Sequence, residues 1–475
     1  MASAPPTPAT PATSGRSLLW LVAIGFFMQT LDATIVNTAL PAMAASLGES
    51  PLRMQSVVVA YSLTMAMLIP ASGWIADRFG TRRVYLLAIA LFALGSLLCA
   101  ISQSLGTLVA SRVVQGLGGA LLMPVGRLAV LRAFPREQFL RAMSFIAIPG
   151  LIGPLMGPPL GGWLVEVASW HWIFLINLPV ALAGGVMSML FMPAGRVPPP
   201  GAFDLSGFVL LSGGMVAVSL SFGGVSELGL RHATVVLLMV FGLASLVAYW
   251  LHALRHPAPL FSPHLFRVPS LRVGLLGNLF ARLGSSCMPF LVPLLMQVSM
   301  RYSPAQAGMM MLPMALAGML AKPLVTRLIL RAGYRRVLVA NTLALGSLMA
   351  SFALITPGQP VWALLLHLAC FGMVNSMQFT AMNTITLKDM EGPAASSGNS
   401  LLSMVQMLAM GLGVAVAASV LAGFTGYFDP VGAEQTLSAF HATFVVMGLV
   451  TVASAWIFWQ LEPDAPGGWG PAQAG

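Results

Sequence analysis

The chain has 475 residues, of which 57% are hydrophobic and only 8% are charged. Roughly a quarter of the residues in a soluble globular domain are charged, so this composition excludes such a domain and indicates an integral membrane protein. The net charge of +10 by itself suggests nucleic-acid binding. The positions of the cations exclude that function, because they lie almost entirely in the connections between apolar segments.

Fourteen apolar segments fill the chain, each about the length that crosses a bilayer. A helix needs roughly 20 apolar residues to span about 30 Å of hydrocarbon. The sequence therefore predicts an all-α integral membrane fold with 14 transmembrane helices. The predicted spans 1 to 14 are residues 18–40, 57–76, 84–101, 105–125, 142–165, 170–192, 205–225, 233–251, 271–297, 305–325, 337–355, 361–387, 399–424 and 439–459.

Most cations lie in every second connection or at its margins. Cytoplasmic loops carry an excess of Lys and Arg, which places the even-numbered connections and both termini in the cytoplasm. The predicted location is the bacterial cytoplasmic (inner) membrane. The cations on this side are Arg78, Arg82, Arg83, Arg132, Arg136, Arg141, Arg196, Arg255, Arg267, Arg272, Arg327, Arg331, Arg335, Arg336 and Lys388, whereas the other connections hold Arg53, Arg231 and Arg301.

An Arg-x-Gly-x-Arg-Arg pattern occurs twice, at 78–83 after span 2 and at 331–336 after span 10. Because the copies occupy equivalent loops of spans 1–6 and 9–14, the chain divides into two six-helix halves with a helix pair inserted between them. Two similar halves imply a cavity along their interface. The predicted units are a disordered cytoplasmic tail (1–17), the N-terminal half (18–196), the inserted helices (197–256), the C-terminal half (257–461) and a cytoplasmic tail (462–475).

No metal site, cofactor or enzymatic activity is predicted. His252 and His256 form the only i,i+4 histidine pair, and neither a carboxylate nor a Cys accompanies them in the sequence. The three cysteines lie in apolar segments without a CxxC spacing, so we interpret them as packing residues. The chain has no Walker loop, HExxH motif or nucleophile elbow.

Five motifs are specific in combination. They are LDATIVNTALP at 31–41 in span 1, GWIADRFGTRR at 73–83, RVVQGLGG at 112–119 in span 4, GLIGPLMGPPLGG at 150–162 in span 5 and WHWIFLINLP at 170–179 at span 6. With these motifs nearly the whole chain resembles the 14-span drug:proton antiporters of the major facilitator superfamily, in the EmrB/QacA-like branch and its MdtD-type group. The resemblance implies a major facilitator fold.

Asp32 is the only acidic residue well inside a predicted span. At 1.5 Å per residue from Leu18 it lies roughly 21 Å from the cytoplasmic boundary, at a depth similar to that of Arg112 in span 4. The resemblance implies that both spans line one cavity, where burial favours the neutral carboxyl and Arg112 favours the ionised form. Asp32 and Arg112 are therefore the predicted proton-coupling residues. The alternative is a static ion pair that locks two helices.

Span 1 has a polar face fit for a water-filled cavity, because Thr30, Thr34 and Asn37 recur at helical spacing beside Gln29 and Asp32. The second half holds no buried carboxylate. Its one deep cation, Arg282, either binds an anionic substrate or donates hydrogen bonds to backbone in the cavity. The tentative substrate cavity comprises Gln29, Thr34, Asn37, Gln115, Arg282, Gln378 and Asn383.

Span 5 carries small residues and prolines along one face, so it should pack tightly and bend. The resemblance implies an antiporter-specific helix that seals one side while the halves rock. Ordinary helix packing is the alternative. The residues of this face are Gly150, Gly153, Pro154, Gly157, Pro158 and Gly161.

The loop after span 2 is the predicted gating loop. Asp77 near the C-terminus of span 2 is repelled by the helix dipole and needs a cation or another helix N-terminus. The resemblance implies the N-terminus of span 13, near 397–399, and a latch that holds when the cytoplasmic side is closed. The alternative is that the Arg cluster only sets the orientation of the chain in the membrane. In the second copy Thr326 and Leu330 replace Gly73 and Asp77, which puts gating by that loop in doubt. The gating-loop residues are Gly73, Asp77, Arg78, Gly80, Arg82 and Arg83.

These features predict proton-coupled efflux of small hydrophobic or amphipathic compounds, a multidrug-type antiport by alternating access. An exporter of one endogenous metabolite or siderophore is the nearest alternative, and a non-transporting membrane sensor is a further one. The predicted partners are a small-molecule substrate, protons and the lipid bilayer, without nucleic acid. A monomer is one of the states that the sequence allows.

Overall fold

A computed structural model of the chain describes residues 12–134, 136–193, 201–223, 232–390, 392–427 and 433–462. Within these ranges all regular structure is helical, with two short 3-10 segments at Pro263–Arg267 and Ser351–Leu354. The α-helices are α1 (Ala12–Leu47), α2 (Gln55–Phe79), α3 (Thr81–Ala100), α4 (Leu105–Ala133), α5 (Arg136–Val167), α6 (Trp172–Leu175), α7 (Asn177–Phe191), α8 (Leu205–Gly223), α9 (His232–Arg255), α10 (Pro269–Ser285), α11 (Met288–Val298), α12 (Pro304–Met310), α13 (Leu312–Leu320), α14 (Lys322–Ala350), α15 (Val361–Leu387), α16 (Gly392–Tyr427), α17 (Ala433–Ala453) and α18 (Ala455–Trp459).

Twelve helical stretches of the described chain are long and apolar enough to cross a membrane. Some combine two helices, as α6 does with α7 and α10 with α11. The other two predicted spans correspond to α5, a continuous helix of 32 residues, and to Pro304–Leu320, which contains α12 and α13. The prediction of an all-helical, multi-pass membrane protein is confirmed. The total of fourteen spans stays a prediction.

Helix α1 begins at Ala12, before the predicted start of span 1 at Leu18. Residues 12–17 are therefore helical and are not part of a disordered tail. Apolarity marks the part of a helix that faces lipid, but backbone hydrogen bonding can continue beyond it. The rest of the predicted N-terminal tail (1–11) and the C-terminal tail from residue 463 lie outside the described residues.

The repeated Arg-x-Gly-x-Arg-Arg pattern forms the same backbone turn twice. Gly80, between α2 and α3, has φ 87°, and Gly333, which interrupts the helical conformation inside α14, has φ 77°. Residues with a Cβ rarely adopt this region, whereas glycine does so at little cost. The sequence repeat is therefore matched by a structural repeat.

Two groups of helices, α1–α7 and α10–α18, pack largely among themselves. In the first group α1 packs extensively on α5, and α3 on α4. In the second group α15 packs on α13 and α14, and α17 packs on α14. Helices α8 and α9, called the inserted pair below, pack on each other, and α8 also contacts α2 from the first group and α16 from the second. The inserted pair thus lies beside the junction of the two groups.

Three hydrogen bonds join the two groups at the end of the bundle that carries the α1–α2 and α5–α6 connections. Gln297 Nε2 donates to the backbone oxygen of Thr38 over 3.0 Å. Glu166 Oε2 accepts from Ser303 Oγ at 3.0 Å and from the backbone N–H of Ala305 at 3.2 Å. This conformation therefore holds the two groups together at the end that the sequence predicts to be extracytoplasmic.

Candidate functional site

Asp32 on α1 and Arg112 on α4 form a buried ion pair. Their residues are 0% and 1% exposed, and Arg112 Nη1 donates to Asp32 Oδ2 over 2.6 Å. Charges buried away from water are rare unless they are paired. The two residues that the sequence placed at similar depth are thus in direct contact.

The second carboxylate oxygen of Asp32 accepts two further hydrogen bonds. Gln115 Nε2 donates to Oδ1 over 2.8 Å, and Asn177 Nδ2, at the start of α7, donates over 3.0 Å. Both amides also contact the hydroxyl of Ser96 on α3, at 2.9 and 3.3 Å. These four residues and Arg112, called the carboxylate network below, connect α1, α3, α4 and α7.

Arg112 is held on its other sides as well. Its Nε donates to the backbone oxygen of Val57 on α2 over 3.2 Å, and Nη1 also donates to Gln115 Oε1 over 2.6 Å. The guanidinium carbon lies 4.1 Å from the ring centroid of Tyr61, within the range of a cation–π contact. Arg112 therefore connects α2 to the network. Its planar guanidinium with several donors makes these contacts possible, and Lys lacks such a group.

Every partner of the Asp32 carboxylate is an N–H donor, which fits the ionised form, because an ionised carboxylate only accepts hydrogen bonds. These bonds occupy three of roughly four lone-pair positions of the carboxylate and leave one on Oδ2 for a proton. Protonation would remove the negative charge that strengthens these bonds. Since the donors come from α4 and α7, it would weaken the contacts of α1 with both helices.

The glycine face of α5 packs directly on α1, the helix that carries Asp32. Gly153 and Gly157 face Thr30 and Thr34, whose hydroxyls donate to carbonyls of their own helix at 2.9 and 3.1 Å. A Cβ added at Gly153 would lie 2.8 Å from the backbone nitrogen of Leu31. Thr34, assigned to the substrate cavity from the sequence, therefore takes part in a helix–helix contact.

The rest of the α5 face continues this contact and extends it to the other half. Gly150 faces the ring of Phe26, and Gly161 faces Ile35 and Thr38. The backbone oxygen of Pro158 lies against Gly308 of α12. Pro154, in contrast, is exposed. The small residues thus allow close approach on two sides of α5.

Two predicted cavity residues of α1 keep free acceptor atoms. In the described part of the chain the side-chain oxygens of Gln29 and Asn37 are buried without a hydrogen-bond partner. The amide nitrogen of Gln29 lies 4.0 Å from the sulfur of Met65. Buried unpaired acceptors are uncommon, and the assignment of these two residues to the substrate cavity stays a prediction. Gln115, assigned to the same cavity, belongs to the carboxylate network.

The predicted cavity residues of the second half form neutral amide contacts. Gln378 donates to Thr342 Oγ1 over 2.7 Å and accepts from Asn341 over 2.8 Å. Asn383 Oδ1 accepts from Gln406 Nε2 over 2.7 Å. These contacts connect α14 to α15 and α15 to α16.

Arg282 on α10 differs from Arg112 in having no carboxylate. Its guanidinium carbon lies 4.3 Å from the ring centroid of Phe379, and its Nε is buried without a hydrogen-bond partner among the described residues. None of the ion pairs found in the described ranges includes it. A partly buried cation with a free donor is suited to an anionic group.

In the predicted gating loop Asp77 pairs with Arg132 at the end of α4, which belongs to the same half. Arg82 donates to the backbone oxygen of Met189 on α7. Gly73, Arg78 and Arg83 are exposed, and Gly80 forms the turn already described. The latch to the N-terminus of span 13 stays a prediction, because the partner that the structure gives Asp77 is Arg132.

Sequence reasoning missed four residues of these sites. Ser96, Asn177 and Tyr61 complete the carboxylate network and its cation–π contact, and Arg132 pairs with Asp77. Neutral polar residues are common in membrane helices, so Ser96 and Tyr61 give no signal on their own. Asn177 lies in the 170–179 motif, and Arg132 lies in a connection on the same predicted side as Asp77. These two locations were the features of the sequence that could have identified Asn177 and Arg132.

Comparisons with known proteins agree with this architecture. The family model described as Major Facilitator Superfamily matches residues 22–414 and 274–474. A protein of Serratia proteamaculans (strain 568), named "Putative multidrug resistance protein MdtD", is 51% identical over 446 residues, which cover 94% of this chain and 93% of the relative. A protein of the same name from Pectobacterium atrosepticum is 49% identical over 455 residues, covering 96% and 97% of the two chains.

Solved structures show the same fold at low sequence identity. The human organic anion transporter MFSD10 (TETRAN) matches with a TM-score of 0.62 at 17% identity, over 94% of this chain and all of that chain. A POT family transporter in complex with 5-aminolevulinic acid matches with a TM-score of 0.68 at 18% identity, over 93% and 95%. The family match and the named relatives make this helical bundle that of a membrane transporter. The chain belongs to the major facilitator superfamily.

Proposed function

We propose that the chain exports small hydrophobic or amphipathic compounds across the bacterial cytoplasmic membrane in exchange for protons, by alternating access. The names of the 51% and 49% identical relatives support multidrug efflux. Export would confer antibiotic resistance where an antibiotic is among the substrates. The orientation with cytoplasmic termini and the division at residues 18–196, 197–256 and 257–461 are part of the same proposal.

The observation that carries this proposal is the Asp32 carboxylate, buried inside the bundle and bonded to donors from α4 and α7. An intramembrane ionisable group is expensive and marks a functional site by default. A proton on Asp32 changes the contacts between helices, so its uptake and release can be coupled to a change of conformation. Arg112 holds the carboxylate and stabilises its ionised form.

The energy for export comes from the proton gradient. One charge that falls through 100 mV yields about 2.3 kcal/mol, to which the pH difference adds. The contacts at the predicted extracytoplasmic end would have to open in each cycle, while the glycine face of α5 keeps its seal on α1. In this scheme the gating loop closes the opposite end through Asp77 and its partner.

The test uses everted membrane vesicles that contain the full chain and are acidified inside. A lipophilic cation, a neutral drug and an organic acid are added in turn, and lumenal pH is followed with a fluorescent dye. We expect at least one lipophilic compound to release protons and to accumulate, and vesicles without the protein to show neither effect. Accumulation that is insensitive to a protonophore would contradict proton coupling.

A second candidate function is the export of an anionic metabolite, which the unpaired Nε of Arg282 favours. The same assay distinguishes the two candidates. If organic acids alone release protons, and Arg282→Gln removes that response, the dedicated exporter is the better description. Release by lipophilic cations that survives Arg282→Gln supports the multidrug exporter.

A further inference from the structure

A cluster of possible metal ligands lies at one end of the inserted pair, away from the carboxylate network. Asp204 directly precedes α8, His252 lies in the last turn of α9, and His256 follows that helix. One ligand atom from each residue lies within 4.8 Å of the other two. We call these residues the Asp204 cluster. The sequence predicts no metal site at the histidine pair because neither a carboxylate nor a Cys accompanies it there, but the fold brings in a carboxylate from 48 residues away.

The carboxylate of Asp204 is buried and fixed by several donors. Its side chain is 1% exposed. Oδ1 accepts from the backbone N–H of Gly207 at 2.8 Å, and Oδ2 accepts from that of Leu260 at 3.4 Å. The backbone donors therefore hold the carboxylate in a fixed orientation.

The two imidazoles share one face of the helix end, because they are four residues apart. His252 Nε2 lies 2.8 Å from Asp204 Oδ1, and the two rings have centroids 4.9 Å apart. The side chain of His252 is 23% exposed, so the cluster is accessible from outside. The backbone N–H of Ala258 donates to His256 Nδ1 over 3.3 Å, a long bond that a metal at that nitrogen would replace.

We propose that Asp204, His252 and His256 bind a divalent transition metal such as Zn²⁺, with water as the fourth ligand. Zinc binds imidazole nitrogen and carboxylate oxygen at about 2.0–2.2 Å, so tetrahedral ligands stand about 3.4 Å apart. The observed separations, from 2.8 to at most 4.8 Å, bracket that value. Small side-chain shifts at the helix end therefore complete the site.

Helix capping alone explains only part of this arrangement. The hydrogen bond from Gly207 to Asp204 is a typical N-cap interaction of α8, and His252 can serve as its partner. Capping gives no reason for a second imidazole within reach of the same oxygen. A metal would use all three side chains and would connect the start of α8 to the end of α9. Helix α8 contacts α2 of one half and α16 of the other. A bound metal would therefore also stabilise the packing of the inserted pair on both halves.

The test measures metal binding by the purified, full-length, tag-free protein in detergent after chelator treatment. Zn²⁺ is titrated calorimetrically, and Co²⁺ is used as a spectroscopic probe of coordination geometry. We expect one tight Zn²⁺ per chain and the intense visible absorption of tetrahedral Co²⁺. Removal of one ligand should weaken binding by about 100-fold, since even outer partners of metal ligands contribute 10- to 100-fold.

The variants separate a metal site from capping. Asp204→Asn keeps an N-cap residue but loses the charged ligand, His256→Gln leaves the Asp204 to His252 contact intact, and exposed His264→Gln is the matched control. Loss of binding in the first two variants and retention in the third support the site. Absence of stoichiometric Zn²⁺ in the parent protein, or unchanged binding in His256→Gln, overturns it. None of these readouts depends on transport.

Discussion

The two halves share a backbone repeat but differ in how they treat buried polar groups. The N-terminal half buries a complete ion pair, in which Asp32 accepts from three donors and Arg112 also contacts α2. In the described part of the C-terminal half, neutral amides are buried, and the partly buried Arg282 has no carboxylate. Proton chemistry needs a group that can change its charge. The difference therefore supports the proposal that proton coupling belongs to the first half.

The largest effect is expected for Asp32→Asn. Asparagine preserves size and polarity but cannot carry a proton in exchange, so proton release on substrate addition should fall to the level of empty vesicles. Asp389→Asn, which alters an exposed acid of the other half, is the matched control and should transport normally. Normal proton release by Asp32→Asn would show that the coupling residue lies elsewhere.

The Asn variant should still insert and fold, although Arg112 loses its charged partner. Breaking a buried ion pair costs about 3–5 kcal/mol, but Asn can accept from Arg112 through its side-chain oxygen. Size-exclusion profiles and thermal unfolding in detergent check this point. If Asp32→Asn aggregates, Asp32→Glu replaces it in the test. The glutamate variant should keep proton coupling but have a reduced turnover.

Arg112→Lys should be the next most harmful change. Lysine keeps the charge but cannot donate to Asp32, Gln115 and the backbone of Val57 in the planar arrangement of arginine. A hydrogen bond to a charged group contributes about 1.5–3 kcal/mol, which corresponds to a loss of roughly 10- to 100-fold in turnover. The loss of turnover is measured from initial rates of proton-driven uptake into vesicles.

The matched change in the C-terminal half is Arg282→Lys. Because Arg282 contacts an aromatic ring and no carboxylate, lysine should reduce turnover less there than at Arg112. Equal losses at both positions would contradict the proposal that proton coupling belongs to the first half.

These contrasts also show what the sequence could predict. Asp32 and Arg112 were found because a charge inside an apolar span is rare and costly. Their partners Ser96 and Asn177 were not assigned, because neutral polar residues are common and only the packing of α3 and α7 brings them to the carboxylate. Asp204 and His252 are 48 residues apart, and no pattern links them before the inserted pair is folded. The repeat at 78–83 and 331–336 was visible in the sequence, and its glycines at 80 and 333 meet a local backbone requirement in both copies.

Gly153→Leu tests whether the contact of α5 with α1 is a seal. A Cβ there would lie 2.8 Å from Leu31 N, so the helices must separate. Overpacking costs about 1–3 kcal/mol, and we expect efflux to fall roughly tenfold or protons to leak without substrate. The decay of an imposed pH gradient in proteoliposomes measures the leak. Gly157→Leu should act in the same direction.

The matched control for this change is Gly185→Leu on α7, where an added Cβ meets nothing within 4 Å. It should leave both efflux and the pH gradient unchanged. If Gly153→Leu behaves like this control, the small face of α5 is tolerant of bulk. The interpretation of the contact between α5 and α1 as a seal would then be wrong.

The smallest effect is expected in the repeated loop, where the halves differ by one acid. Asp77 pairs with Arg132, whereas its counterpart Leu330 is exposed and apolar. An exposed ion pair contributes about 0.2–1 kcal/mol, so Asp77→Asn should lower turnover about two- to fivefold with little change in ligand affinity. Leu330→Asp is the matched change in the second loop. It should not alter turnover, because transport by the parent protein does not use an acid at this position. A collapse of affinity in Asp77→Asn at constant turnover per bound ligand would instead make Asp77 part of the binding site.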